Sequence, residues 1–595
     1  MSAPTRCLLL YLALAAVALL AYTPALFGDW LWDDVDWIRD NEALRSWSGL
    51  WQIWFEPGAV IQYYPLTYTT WWIDYHVWGL APMALHVENV LLHAANALLF
   101  GLLLRRMELP GAAAAALIFL LHPVHAESVA WMVERKNVLS AAFYLGACHL
   151  WCVYLRERSV RMLLIALGCF ALALLAKTAT LMLPFTLLAI AWWRERRVSL
   201  VVRPLLPFAA LSLTFALVTV VRERGEGAVG FDWALTFTER IALLGQVVGV
   251  YLGKLLLPFG LSFSYAKWQI GADTLTGWLP TLSLLGAFAA ACCVRRIGAV
   301  AVACALCVYI ANLLPVSGLV DYYYLRYAFA ADHFQYLPSL GAIALLCCSA
   351  ANLLRTKERQ VSAAVTILAA LALGGATFAR STSYRDVETL WRDTIETAPR
   401  AWLAHTSLGH LLDSREGVGA GLEHHRRAVE VYPYAFESNN AIGNYEARQG
   451  NFDAARVHFE AALNARPTDP LTYNNLGAMF GLRGDYAGAR EWLEYGHQQA
   501  PENRQLLRNL VVVLSQVPDA AVRDPERALR LARELVSLGE PSMLDEHALF
   551  RAVLVAGLRA EAAVIGRRVA ERAMRESEHG IAEQVVEQLK RLEER

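Results

Sequence analysis

Charge is scarce in the first two-thirds of this 595-residue chain. Residues 1–379 hold 22 acidic and 26 basic side chains, about one position in eight. An ordinary soluble domain carries about one in four. That scarcity excludes a water-soluble fold for this segment. Residues 380–595 hold 32 acids and 27 bases, the composition of a normal soluble domain. A basic excess is also missing. The net charge of −1 excludes a nucleic-acid binder with its basic face. Cysteine is absent from the last third. All ten cysteines lie in apolar runs, and Cys304 and Cys307, although spaced as CxxC, have no further ligand type near them. They read as small buried hydrophobes rather than a metal or redox pair.

What fills the first two-thirds is apolar sequence. Runs long enough to cross a bilayer lie near 7–27, 85–104, 111–130, 137–155, 161–176, 178–193, 204–221, 276–294, 298–316, 336–354 and 361–379. The first has no clean small-x-small cleavage site after it and reads as an uncleaved anchor. Lys and Arg set the orientation. Arg6, Arg105, Arg106, Arg156, Arg158, Arg161, Arg194, Arg196, Arg197, Arg203, Arg295, Arg296, Arg355, Lys357 and Arg359 fall at the N-terminus and in alternate connections, with only four acids among them. The other side carries 18 acids and 11 bases. The positive-inside rule makes the first set cytoplasmic. Eleven spans then place the N-terminus inside and everything after 380 outside, with an inner-membrane location expected. Residues 241–257 are apolar but contain Lys254 and end at Pro258, so a re-entrant or interfacial helix is expected there.

Three outer connections, 28–84, 222–275 and 317–335, exceed the length of a simple turn, and long loops are usually functional. The first holds nine of the 19 tryptophans: Trp30, Trp32, Trp37, Trp47, Trp51, Trp54, Trp71, Trp72 and Trp78. They suit an aromatic belt at the membrane surface or an apolar wall around a lipid-linked or sugar substrate.

The polar third repeats. Pro399, Pro433, Pro467 and Pro501 are spaced by 34 residues, as are Leu408, Ile442 and Leu476, and Gly409, Gly443 and Gly477. This is the tetratricopeptide period. Clear units cover about 400–501, and degenerate helical units follow to the C-terminus. The predicted architecture is all-α: a polytopic membrane domain over 1–379 and a tetratricopeptide solenoid over 380–595. Such arrays bind peptides or proteins in a groove, so catalysis is expected in the membrane part, with a protein partner in the groove.

Ionisable groups at membrane depth are functional candidates by default. Asp33 and Asp34 follow the first span. Adjacent carboxylates there can hold a divalent cation, or one can act as general base beside a charged neighbour. His86, Asn89, His93 and Asn96 lie on one face of the second span. That stripe serves either interhelical hydrogen bonds or a wet cavity. His122, His125 and Glu127 end the third span; they are zinc-ligand types, but no HExxH is present and Pro123 breaks the helix. Arg135, Lys136 and Lys177 are outward bases, suited to a phosphate or to snorkelling at the interface. Asp332 and His333 precede the tenth span. Acids for base catalysis beside cations for phosphate, on the outer face, suggest transfer of a head group from a lipid-linked phosphate.

The acid pair at 33–34, the HxxNxxxH stripe at 86–93, HPVHAESVAWMVERKNVLS at 122–140, Ala176-Lys177, DHFQYLPSLG at 332–341 and the repeats occur in this order. The sequence thereby resembles the transmembrane O-mannosyltransferases with tetratricopeptide repeats and their bacterial relatives, within the family C glycosyltransferases. The resemblance implies a polyprenyl-phosphate-linked sugar as donor and a protein or glycan as acceptor. It further implies a catalytic acid at Asp33 or Asp34 and a periplasmic or lumenal repeat domain. Asp332-His333 stands where eukaryotic members are expected to have an acid–arginine pair, so mannose does not carry over with the resemblance. The competing expectation is a membrane-anchored repeat scaffold without catalysis. A transporter is disfavoured, because the hydropathy shows no inverted repeat.

Overall fold

The computed structural model describes residues 2–195, 201–225, 233–293, 297–354 and 359–594. Among these residues there is helix and no strand. Arg196, Arg197, Arg295, Arg296, Arg355 and Lys357, on which part of the orientation argument stands, lie outside the described residues. The chain forms two compact units, Met1–Ala404 and His405–Arg595. The first therefore runs past residue 379 to include helix Val387–Thr397, whose Trp391 is buried with its ring 5.8 Å from Trp32.

This is a membrane protein by the length and polarity of its helices. Among the described residues six are long and apolar enough to cross a bilayer: Pro4–Ala21, Pro82–Arg106, Met132–Glu157, Val202–Gly225, Gly298–Val316 and Gln360–Tyr384. A seventh, Ala112–Leu121 with Pro123–Ala130, is bent by 51°. The bend has a local cause, since proline at 123 removes a backbone donor and crowds the preceding turn. The other expected runs are helical but shorter: Val160–Ala176, Leu275–Ala291 and Ser339–Leu353. The run at 178–193 begins as a 3₁₀ turn, Thr178–Met182, and leaves only Leu183–Glu195 as α-helix. Thirteen residues rise about 20 Å, short of a hydrocarbon core of about 30 Å.

Helix Phe237–Leu256, the expected re-entrant segment, starts in a full capping box from Thr236 and Glu239 and is not among the six. Its Arg240 pairs with Asp321, and its Lys254 donates to the carbonyls of Phe259 and Gly260. Small residues let the membrane helices approach. A Cβ on Gly101 would stand 2.9 Å from Ala116, and one on Gly341 2.6 Å from the Ala305 carbonyl. The cysteines described in these helices are free thiols; Cys148 and Cys152 are buried, whereas Cys7 and Cys293 are exposed.

In the second unit, helices pair as the 34-residue period requires. Phe436–Arg448 packs on Phe452–Ala465, and Pro470–Leu482 on Tyr486–Gln499. The repeated glycine sits where the paired helices touch. A Cβ on Gly443 would fall 2.6 Å from Phe459, and one on Gly477 2.6 Å from Leu493. Beyond 501 the hairpins continue as Arg504–Gln516 with Pro525–Ser537, and Met543–Val555 with Arg559–Arg575. Their sequence register is lost for a packing reason. In the last of these pairs the small and large partners are exchanged. Phe550 lies on the first helix and Gly566 on the second, where an added Cβ would stand 2.7 Å from the ring. The burial is equivalent, but the motif reads differently.

Candidate active site

The loop after the first membrane helix is held by a strained residue. Trp32 adopts φ +32°, a value that side chains rarely take. Its ring stacks on Trp131 at 5.9 Å and meets the edges of Phe263, Tyr327 and Trp391. This wedge fixes the two following aspartates in different environments. Asp34 is fully buried: one carboxylate oxygen accepts the Leu31 N–H at 2.9 Å and the other the Val133 N–H at 2.8 Å. It staples the loop to the chain 99 residues away. Asp33 is half-buried, and no described residue donates to its carboxylate. Burial pushes its pKa up to about 7, against the pull of Lys136.

The nine tryptophans of the loop differ in exposure. Trp47 and Trp51 project from helix Trp47–Phe55 with 74% and 65% of their surface exposed. Trp37 and Trp71 are buried inside.

Beside Asp33 lies a cluster that the sequence pattern did not bring together. Glu134 is buried, and each of its carboxylate oxygens meets a lysine: Oε1 is 3.0 Å from Lys136 Nζ and Oε2 is 2.9 Å from Lys177 Nζ. Lys136 also lies over the Trp37 ring, 4.2 Å from its centre. Lys177 follows helix Val160–Ala176 in extended conformation, and Thr67 anchors that turn by donating to the Ala176 carbonyl. Burial lowers Lys177 to about 8, with Glu134 holding it up. Neither lysine snorkels; both are buried.

Arg135 departs from the expectation of an outward cation for phosphate. Its guanidinium is buried and saturated. It pairs with Asp74 and with Glu88, the latter at 2.9 Å, and donates to the Asn89 side chain and the Leu85 carbonyl. It ties helix Pro65–Trp78 to Pro82–Arg106 and so acts within the fold. His333 departs in the same way. Burial lowers its pKa to about 3, so it is neutral, and its Nδ1 meets Glu127 Oε1 at 2.5 Å. Asp332, next to it, accepts from the Tyr265 hydroxyl at 2.8 Å, and burial raises it to about 6.

The polar stripe serves the bundle. Asn89 donates towards the Trp131 and Met132 carbonyls, and Asn96 donates to the Val138 carbonyl. His93 bridges the Tyr336 hydroxyl at 2.7 Å and the Leu120 carbonyl at 3.1 Å. His86 is buried on the same helix. At the bend, His122 contacts the Leu255 carbonyl and accepts from the Val124 N–H. His125 contacts the Phe119 carbonyl and Ser339 Oγ. Asn89, His93, Asn96, His122 and His125 are thus occupied as hydrogen-bond partners within the bundle, whereas both ring nitrogens of the buried His86 lack a hydrogen bond among the described residues.

The donor sets decide the fit of a metal. Each oxygen of Asp34 accepts one backbone N–H, and its carboxylate is fixed by them. Among the described residues no three His, Cys, Asp or Glu side chains converge.

No family model matches the chain. Among curated proteins, it is 25% identical over 498 residues to Protein O-mannosyl-transferase TMTC4 of Mus musculus, covering 70% of this chain and 65% of that protein. Protein O-mannosyl-transferase sequences are its relatives. The human TMTC4 protein is 32% identical over 171 residues, 24% of this chain and 23% of that protein. The mouse TMTC3 protein is 31% identical over 144 residues, 22% of this chain and 16% of that one. The chain thus spans less than two-thirds of the length of these O-mannosyl-transferases. Among solved structures, YrrB, a TPR protein with an unusual peptide-binding site, covers 33% of the chain at 14% identity and TM-score 0.26. Yeast Tom70 covers 85% at 12% identity and TM-score 0.29.

Proposed function

We propose that the membrane unit is an inverting glycosyltransferase. It moves a sugar from a polyprenyl-phosphate donor to a hydroxyl of a protein or glycan on the outer face of a cell membrane, and the repeats recruit the acceptor. The O-mannosyl-transferase relatives support the reaction class. The observation that carries the reading is the one half-buried carboxylate of the first outer loop, Asp33, free of backbone partners and within electrostatic reach of the buried Lys136.

Asp33 is the base. A pKa near 7 lets it be ionised at working pH and still accept a proton, the match that general-base catalysis needs. As the acceptor oxygen attacks the anomeric carbon from the face opposite the phosphate, its proton passes to Asp33. The bond from carbon to phosphate oxygen breaks, and the electron pair stays on the phosphate. Lys136 and Lys177 meet that growing charge, which is stronger stabilisation of the transition state than of the donor. Asp34 takes no part in the proton transfer; it sets the loop. The orientation follows the arginine-rich connections, with the N-terminus cytoplasmic and the repeats outside.

The test is donor class. Purified full-length chain, given polyprenyl-phosphate sugars and nucleotide sugars with labelled sugar, should transfer only from the lipid and with inversion. Transfer from the nucleotide sugar, or no transfer from any lipid, refutes it.

A further inference from the structure

We propose that Glu134 is the positioning residue of a two-lysine anion clamp, holding the ammonium groups of Lys136 and Lys177 together and charged for the phosphate of the lipid donor. The inference deepens the glycosyl-transfer reading and rests on it.

Three observations carry it. First, the two lysines come from separate elements, one at the start of Arg135–Glu157 and the other after Val160–Ala176, and meet at one carboxylate, with one ammonium on each oxygen. Second, all three groups are buried, at 1% exposure for Glu134 and 6% for each lysine. Two buried ammonium groups this close oppose each other's charge unless a counter-ion lies between them. Third, the cluster has a net charge of +1, complementary to a sugar–phosphate diester with one negative charge. A carboxylate bridging two ammonium groups occupies the geometry that two phosphate oxygens require, from the opposite side. Glu134 thus keeps the site formed while no lipid is bound.

The charged neighbours define the pH behaviour. Lys177 is faced by Glu134, Lys136 and Glu127. Asp33 lies across Lys136 and titrates near 7, on the acid side. His333, lowered to about 3, stays neutral throughout. Lys177, at about 8, therefore defines the alkaline limit of phosphate binding. Without the Glu134 charge, that limit moves down.

The experiment measures binding of a polyprenyl-phosphate sugar, a diester whose single charge is constant over the range, to the full chain in lipid nanodiscs from pH 6 to 9. Wild type should bind evenly up to about pH 8 and weaken above it. In Glu134→Gln the alkaline fall should begin at least one pH unit lower, an affinity loss of at least about 5-fold at pH 8 that reverses at pH 6. Glu134→Asp, which keeps the charge, should keep the wild-type profile. Lys177→Arg, whose guanidinium stays protonated, should remove the alkaline fall in an otherwise unaltered chain, and this variant decides the question if Glu134→Gln does not fold. A Glu134→Gln profile equal to wild type, a loss equal at every pH, or an alkaline fall that survives Lys177→Arg overturns the clamp alone. Wild type that binds no polyprenyl-phosphate sugar at any pH overturns the clamp and the donor reading together.

Discussion

Replacing Asp34 with Asn separates the structural aspartate from the reacting one. In the native chain two backbone N–H groups, of Leu31 and Val133, point at the two oxygens of one buried carboxylate. A carboxamide keeps one acceptor and turns an NH₂ donor toward the other N–H. Burial holds the Asp34 carboxyl well above the usual carboxylate range, so the substitution costs the one hydrogen bond whose buried N–H is left unsatisfied, about 1–3 kcal/mol. For a unit of this size that corresponds to a melting temperature lower by roughly 1–4 °C. Tryptophan emission suits the assay, because Trp32 stacks on Trp131 close to the staple. Folded Asp34→Asn protein should retain sugar transfer within about tenfold. An unchanged melting temperature together with a turnover loss above about 100-fold would make Asp34 the base and refute the division of roles.

Other consequences follow from the same contacts. The kcat/KM profile should be bell-shaped, rising as Asp33 loses its proton through about pH 7 and falling as Lys177 loses its own through about pH 8; a flat profile from pH 6 to 9 contradicts both assignments. Arg135→Met leaves Asp74 and Glu88 without their partner, so it should cost about 3–5 kcal/mol of stability. The Kd for donor in whatever folds should be unchanged; weaker donor binding at full stability would restore Arg135 as a phosphate ligand. In the repeats, Gly477→Ala puts a Cβ 2.6 Å from Leu493 and should destabilise the second unit by about 1–3 kcal/mol in chemical denaturation.

Much of the architecture was legible in the sequence because it is periodic. The 34-residue spacing of Pro, Leu and Gly carries the hairpins, and apolar length carries the membrane helices. The repeats after 501 were not legible in detail, since exchanging Phe550 and Gly566 across a helix pair preserves packing while erasing the motif. The aspartates were found but not ranked. Their difference depends on the Val133 N–H, 99 residues away, which no local pattern encodes. Arg135 and Lys136 read alike as adjacent bases. Asp74 and Glu88 neutralise the first from distant helices, whereas the second points at Trp37 and Glu134. Glu134 itself sits one residue before this pair, and an acid at membrane depth next to two bases was the signal that could have marked it.

The central claim, that Asp33 takes the acceptor's proton, is tested most directly by the Asp33→Asn chain. Its rate of sugar transfer from a polyprenyl-phosphate donor should be measured beside its donor affinity and its melting temperature. Asn keeps the size of the side chain and removes the base. The rate should fall at least ~100-fold below wild type, with donor binding and melting temperature retained. Transfer at the wild-type rate by the Asp33→Asn chain contradicts it.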